Sequence, residues 1–243
     1  MDAAGLSRRQ ATLLALGAFV FAKPAIAART STKDATLPAG DCLLSRKLVR
    51  GLRDGNTITV TRGWRIEFAR QSRGIAISGE QVSVTVEAPE KLSPIAKIER
   101  ERSTKGLFPI LLAPDGMIIA AGQNTAQSSV DEAVRTAETL LSKQMGEADA
   151  AAKHARYLSN LQLAGSSLLD EMPGDLFYPS TETYREVRRV ALPDGSTGEF
   201  EVSWEASAKA ESGLLETARR EVITRIGASE RRSSEEWSLK GIG

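Results

Sequence analysis

Residues 106–122 read GLFPILLAPDGMIIAAG, and this stretch limits the possible folds more than any other. Two apolar runs, Leu107–Ala113 and Met117–Ala121, flank Pro114-Asp115-Gly116. Proline presets φ for a turn, aspartate bonds back to the backbone, and glycine accepts positive φ. The spacing predicts a hairpin. Its arms are apolar throughout, which predicts strands covered on both faces and a folded region built around them.

The residues before the hairpin alternate. Thr57-Ile58-Thr59-Val60-Thr61 interleaves hydroxyl and apolar side chains, and Trp64, Ile66 and Phe68 share one face. Val82, Val84 and Val86 share another, with Gly63 as a bulge or a turn. Such alternation predicts an antiparallel sheet with one buried and one wet face. Within residues 89–105, Glu99-Arg100-Glu101-Arg102 reads as a solvated edge strand or a helix turn.

After the hairpin, Ser129-Val130-Asp131-Glu132 is a capping-box pattern. Apolar residues then recur at helical spacing over 129–145, and an alanine-rich pattern continues over 147–169 with Gly146 between them. Residues 171–183 read as a loop. Tyr184–Ala191 and Glu199–Ala206 flank a second Pro-Asp-Gly turn at 193–195. Leu214, Ala218, Val222 and Ile226 predict a helix over 212–226, and Ser234–Leu239 a last strand. The expected fold is therefore α+β: an antiparallel meandering sheet with a packed helix pair, followed by a β-β-α-β C-terminal segment. The expected divisions are a cleaved signal at 1–27, a flexible leader at 28–40, a β-rich lobe with the helix pair at 41–170, and a small α+β lobe at 175–243.

The N-terminus carries the most specific motif. Two arginines precede an apolar stretch, Ala11–Ala22, too short to span a membrane, and Ala25-Ile26-Ala27 forms a small-x-small cleavage site. Ser7-Arg8-Arg9-Gln10 resembles the start of a twin-arginine (Tat) signal peptide, although Ala11 and Thr12 stand where such signals usually carry Phe and Leu. The resemblance implies transient handling by the twin-arginine export machinery and a signal peptidase. It also implies a bacterial periplasmic location and no permanent membrane span.

Charge and motifs exclude several functions. The chain has 32 basic and 31 acidic side chains; without Arg8, Arg9, Lys23 and Asp2 the balance is 29 to 30. That is no basic excess of the kind nucleic-acid binders show. One cysteine, Cys42, rules out an intrachain disulfide; with a single histidine, His154, the Cys/His clusters of structural zinc sites are missing and no metal or cofactor is expected. G-x-S-x-G, S-x-x-K, phosphate-loop and dinucleotide motifs do not occur. His154 falls mid-helix, and Cys42 reads as a small buried hydrophobe.

The loop Leu176-Phe177-Tyr178-Pro179, near Asp175, Glu182 and Glu186, stands out. Asp175, Phe177, Tyr178 and Tyr184 are the expected ligand or partner surface, since loops carry function and aromatics concentrate at interfaces. The alternative for the aromatics is a loop pinned to the core. The function expected is a non-enzymatic envelope protein that binds an unidentified periplasmic partner or ligand. The alternatives are a periplasmic hydrolase with a carboxylate-based site between the lobes, or an accessory subunit exported with a cofactor-bearing partner.

Overall fold

A computed structural model describes residues 34–52, 55–72, 74–122, 130–142 and 150–242. The signal motif Ser7, Arg8 and Arg9, the cleavage residues Ala25 and Ala27, Ser129 of the capping box and Gly146 lie outside them. The described residues belong to one compact unit.

Among the described residues, nine strands form one antiparallel sheet. They are β1 (Cys42–Gly51), β2 (Thr57–Gln71), β3 (Gly74–Glu87), β4 (Ile110–Leu112), β5 (Ile118–Ala121), β6 (Tyr184–Ala191), β7 (Thr197–Ala208), β8 (Leu215–Ile226) and β9 (Ser229–Gly241). Their order is β5-β4-β3-β2-β1-β9-β8-β7-β6. Two meanders, β1 to β5 and β6 to β9, meet where β1 pairs with β9, from Cys42 opposite Gly241 to Arg50 opposite Ser233.

This overturns the expected α+β architecture of a meandering sheet with a packed helix pair and a separate β-β-α-β segment. One sheet runs through both halves, and residues 215–226 are a strand, not a helix. The reason is arithmetic. Leu214, Ala218, Val222 and Ile226 are four apart, a spacing that fits one face of a helix and one face of a strand equally well. Thr217, Val222, Ile223 and Thr224 are β-branched, and β7 and β9 are present on either side to take the backbone hydrogen bonds.

The Pro114-Asp115-Gly116 hairpin forms, but at the edge of the sheet instead of its centre. Ile110 and Leu112 point into the core, whereas Leu111 and Ile119 are exposed. Unbroken apolar character there does not mean cover on both faces. Gly63 marks a bulge: Gly63 pairs with Ser83 and Trp64 with Gln81, so Val82 is the extra residue.

Among the described residues, three α-helices accompany the sheet: α1 (Ser93–Glu101), α2 (Val130–Ser142) and α3 (Ala150–Ser167). The last two fall where the 3.6-residue spacing placed them. On α3, Tyr157, Leu158, Leu161 and Ala164 are buried against α2 and the β6–β8 region, while Ala152 and Ala155 are exposed. The segment after α3 crosses the buried face of the sheet. Ile118 N donates to Gly174 O at 2.7 Å, and Leu215 N to Phe177 O at 2.9 Å, so this strap ties β5 to the start of β8. Leu176, Phe177 and Tyr178 fill the core beneath it, with Phe177 edge-on to Phe68. Within the stretch expected as a leader, Ala35 is buried and its N–H donates to Pro114 O at 2.9 Å.

Candidate functional site

Alternation fixes what each strand contributes. Residues 44, 46, 48 and 50 of β1 face the same side as 58, 60, 62 and 64 of β2 and 233, 235, 237 and 239 of β9. Most of that face is covered. The strap fills one end, and α3 covers β7, β8 and β9. Over β1 and β2 a cleft of about 950 Å³ is left, walled by α1, residues 103–107, β5 and residues 170–174. Ligand pockets typically enclose ~300–1,000 Å³.

The floor of the cleft is apolar with charged insertions. Leu48, Ile58, Val60, Trp64 and Trp237 alternate with Arg46, Arg50 and Arg62. Arg46 and Arg62 are direct cross-strand partners. Each belongs to a set of two guanidiniums on one carboxylate. Glu235, fully buried, lies 2.7 Å from Arg46 Nη2 and 2.5 Å from Arg220 Nη2. Glu99, on α1, lies 3.1 Å from Arg102 Nη2 and 3.7 Å from Arg62 Nη2.

Backbone and side-chain contacts hold these groups in place. Arg46 also donates to Leu169 O, and Arg62 donates to Glu99 O at 2.5 Å and to Gln81 Oε1 at 3.0 Å. Burial lowers the pKa of the Arg62 guanidinium, with Glu99 opposing, yet a guanidinium stays charged. The two tryptophans stack at 6.3 Å between centroids, and Arg46 lies 4.9 Å over the Trp237 ring. Trp64 Nε1 donates to Thr104 Oγ1, which bonds Gln81 Oε1 and so links the wall to the floor. Among the described residues, Trp237 Nε1 and Arg50 Nε are buried with no hydrogen-bond partner. Arg50 Nη2 donates to Asp170.

The sequence-predicted site residues do not converge here. Phe177 and Tyr178 are core residues. Tyr178 Oη donates to Thr36 O at 2.8 Å, and burial pushes its pKa up to about 12. Asp175 Oδ2 accepts from Ser180 N at 2.9 Å, closing a turn. Tyr184 is partly exposed on β6, the edge strand. His154 Nε2 lies 3.1 Å from Ile226 O, near the Ser229 end of β9, whereas Cys42 pairs with Gly241 at the other end. At roughly 3.3 Å per residue those ends are roughly 40 Å apart along the strand, so the two are no nucleophile–base pair. Burial raises the Cys42 thiol pKa. Among the described residues no group of three His, Cys, Asp or Glu is placed to hold a metal ion.

The arginine cluster was visible in the sequence as charge at inward parity. Arg62 shares its parity with Ile58, Val60, Trp64 and Ile66, and Glu235 shares its parity with Trp237 and Leu239. A charged residue in such a register is inside, and therefore partnered.

A second depression, of about 520 Å³, lies on the opposite face of the sheet. Its Ser45, Lys47, Glu205, Arg219 and Glu236 are an ordinary mixed-charge surface, with Arg219 3.2 Å from Glu236.

No protein-family model matches the chain, and no curated protein does. Among solved structures the chain is similar to the ywiB protein from Bacillus subtilis, at 9% identity and a TM-score of 0.16, over 84% of this chain and 93% of that one. An overlap that low carries no argument about fold or site.

Proposed function

We propose that this chain is a binding protein of the bacterial envelope, exported by the signal at residues 1–27, that holds a small ligand in the cleft over β1 and β2. The observation that carries this reading is the cleft itself. It has ligand-pocket volume, an apolar floor and fixed polar groups at a few positions, and it sits on strands that cannot move independently. Among the described residues that line it, no nucleophile is paired with a base. The bulk of the sheet beneath is a scaffold on which α1 and the strap form the walls.

The test uses the two tryptophans of the floor as built-in reporters. The purified protein is titrated with N-phenyl-1-naphthylamine, a neutral apolar fluorophore, and energy transfer from tryptophan is read. Saturable one-to-one binding is expected, weakened by Ile119→Asp, which puts a charge on the exposed apolar wall of the cleft. Binding that never saturates, or that Ile119→Asp leaves unchanged, would count against the cleft as a binding site.

A further inference from the structure

We infer that the ligand is an anionic amphiphile, with an oxyanion head on Arg46 and Arg62 and a hydrocarbon part on Leu48, Val60, Ile95 and Ile119. This rests on the cleft being a ligand site and adds the chemical class.

The head follows from the charges. Like charges directly opposite each other in a ladder are unfavourable, yet Arg46 and Arg62 face each other on the floor of the cleft. Neither has a carboxylate of its own. Arg46 shares Glu235 with Arg220, and Arg62 shares Glu99 with Arg102. In the cleft and just behind it, five guanidiniums stand against four carboxylates, counting Asp170 and Glu171 with the two glutamates. The excess charge is positive and meets where the two arginines adjoin.

Hydrogen-bond capacity points the same way. Among the described residues, Trp237, only 3% exposed, has a buried indole Nε1 without an acceptor, and the buried Nε of Arg50 has none. Among the described residues Arg46 Nη1 makes no hydrogen bond, its Nε and Nη2 being taken by Glu235 and Leu169. Arginine and tryptophan side chains donate only. Glu235 Oε1 also lacks a hydrogen bond but is ion-paired with Arg220, so the surplus positive charge and the free Arg46 Nη1 match a group that only accepts: a carboxylate or a phosphate. Arg62, pinned by Glu99 O and Gln81, is set in place before a ligand arrives.

The tail follows from the walls. Ile95 on α1 is 49% exposed and Ile119 on β5 is 61% exposed, and both line the cleft. Leu48 and Val60 are cross-strand partners on the floor, one step from the arginine pair. An apolar chain entering there removes Ile95, Ile119 and the exposed part of Leu48 from water against the buried Val60, at roughly 25 cal/mol per Å² of apolar surface.

The test displaces bound N-phenyl-1-naphthylamine with four surfactants that share one tail: dodecanoate, dodecyl phosphate, dodecyl maltoside and dodecyltrimethylammonium. Both anionic heads are expected to displace the probe at concentrations roughly tenfold or more below the other two, the difference one charge-assisted hydrogen bond makes. The stronger of the two anions identifies the head as carboxylate or phosphate. Arg62→Gln is expected to erase most of that advantage without weakening the maltoside. Glu99 keeps Arg102 in this variant, so no carboxylate is orphaned. The comparison in the wild-type protein stands even if the variant folds poorly. Equal displacement by all four heads, or a Gln variant that still prefers anions, overturns the amphiphile assignment while leaving the cleft as a binding site. Failure of the probe to bind at all overturns both.

Discussion

Arg46 faces Arg62 across the β1–β2 ladder, and the carboxylate nearest to each is shared with a second arginine. The two sets differ in depth. Glu235 is fully buried between Arg46 and Arg220, whereas Glu99 and Arg102 reach solvent. Removing one partner of a buried ion pair leaves uncompensated charge inside and costs ~3–5 kcal/mol. Glu235→Ala is therefore expected to lose that much stability in urea or guanidinium titration. Glu99→Ala should lose less, because Glu99 is only partly buried and Arg102 is exposed, but more than an exposed pair, because the buried Arg62 loses its carboxylate. Similar losses for both would show that burial of the Glu235 set does not govern its energetics.

The two Pro-Asp-Gly turns separate backbone strain from packing. Gly116 and Gly195 both have positive φ, at 91° and 82°. A Cβ on Gly195 meets nothing within 4 Å, but one on Gly116 would clash with the Tyr178 ring. Gly195→Ala should cost about 1–2 kcal/mol through left-handed strain alone. Gly116→Ala should cost clearly more, because Tyr178 is buried and held by Thr36 O. Thermal melts of the two variants side by side check the order.

Acid should weaken the fold through the outer face. Glu201 lies 2.7 Å from Arg185 and 2.5 Å from Arg225, and their hydrogen bonds hold its pKa down at about 2, against an ordinary 4.5. A depressed carboxylate contributes stability that is fully present above its unfolded pKa. That contribution is lost as pH falls from 4.5 towards 2. Glu201→Gln should therefore be less stable than wild type above that window, with the gap closing within it. Urea midpoints across the window measure this; a gap that stays constant would contradict the assignment.

The strap is held by its aromatics. Phe177 is fully buried and edge-on to Phe68 at 5.6 Å between centroids. Phe177→Ala should cost about 3–5 kcal/mol, the usual range for a buried aromatic, measured by denaturant unfolding. It should also loosen the wall of the cleft formed by residues 170–174, and so weaken binding of the naphthylamine probe.

Local pattern explained local structure well and long-range structure poorly. The alternation around Trp64–Phe68 and Ser234–Leu239, the two Pro-Asp-Gly turns and the helical spacing of 129–145 each follow from contacts within a few residues. The pairing of β1 with β9 joins residues nearly the whole described chain apart, and no short-range pattern encodes it. Without that pairing the chain reads as separate parts, and β8 lacks the neighbours that make it a strand. For Phe177 and Tyr178 the alternative holds: the loop is pinned across the core by its aromatics, which places them away from any surface. The cleft was legible in one respect. Arg62 sits in a run whose other even-numbered members, from Ile58 to Phe68, are all apolar, so its charge had to face the interior.

The most direct measurement is a crystal structure of the protein grown with whichever of dodecanoate and dodecyl phosphate displaces the probe better. The account predicts the head group within hydrogen-bond distance of Arg46 and Arg62, and the chain along Leu48 and Val60 towards Ile95 and Ile119. An anion bound elsewhere, or a chain in the cleft with its head turned away from both arginines, would contradict it.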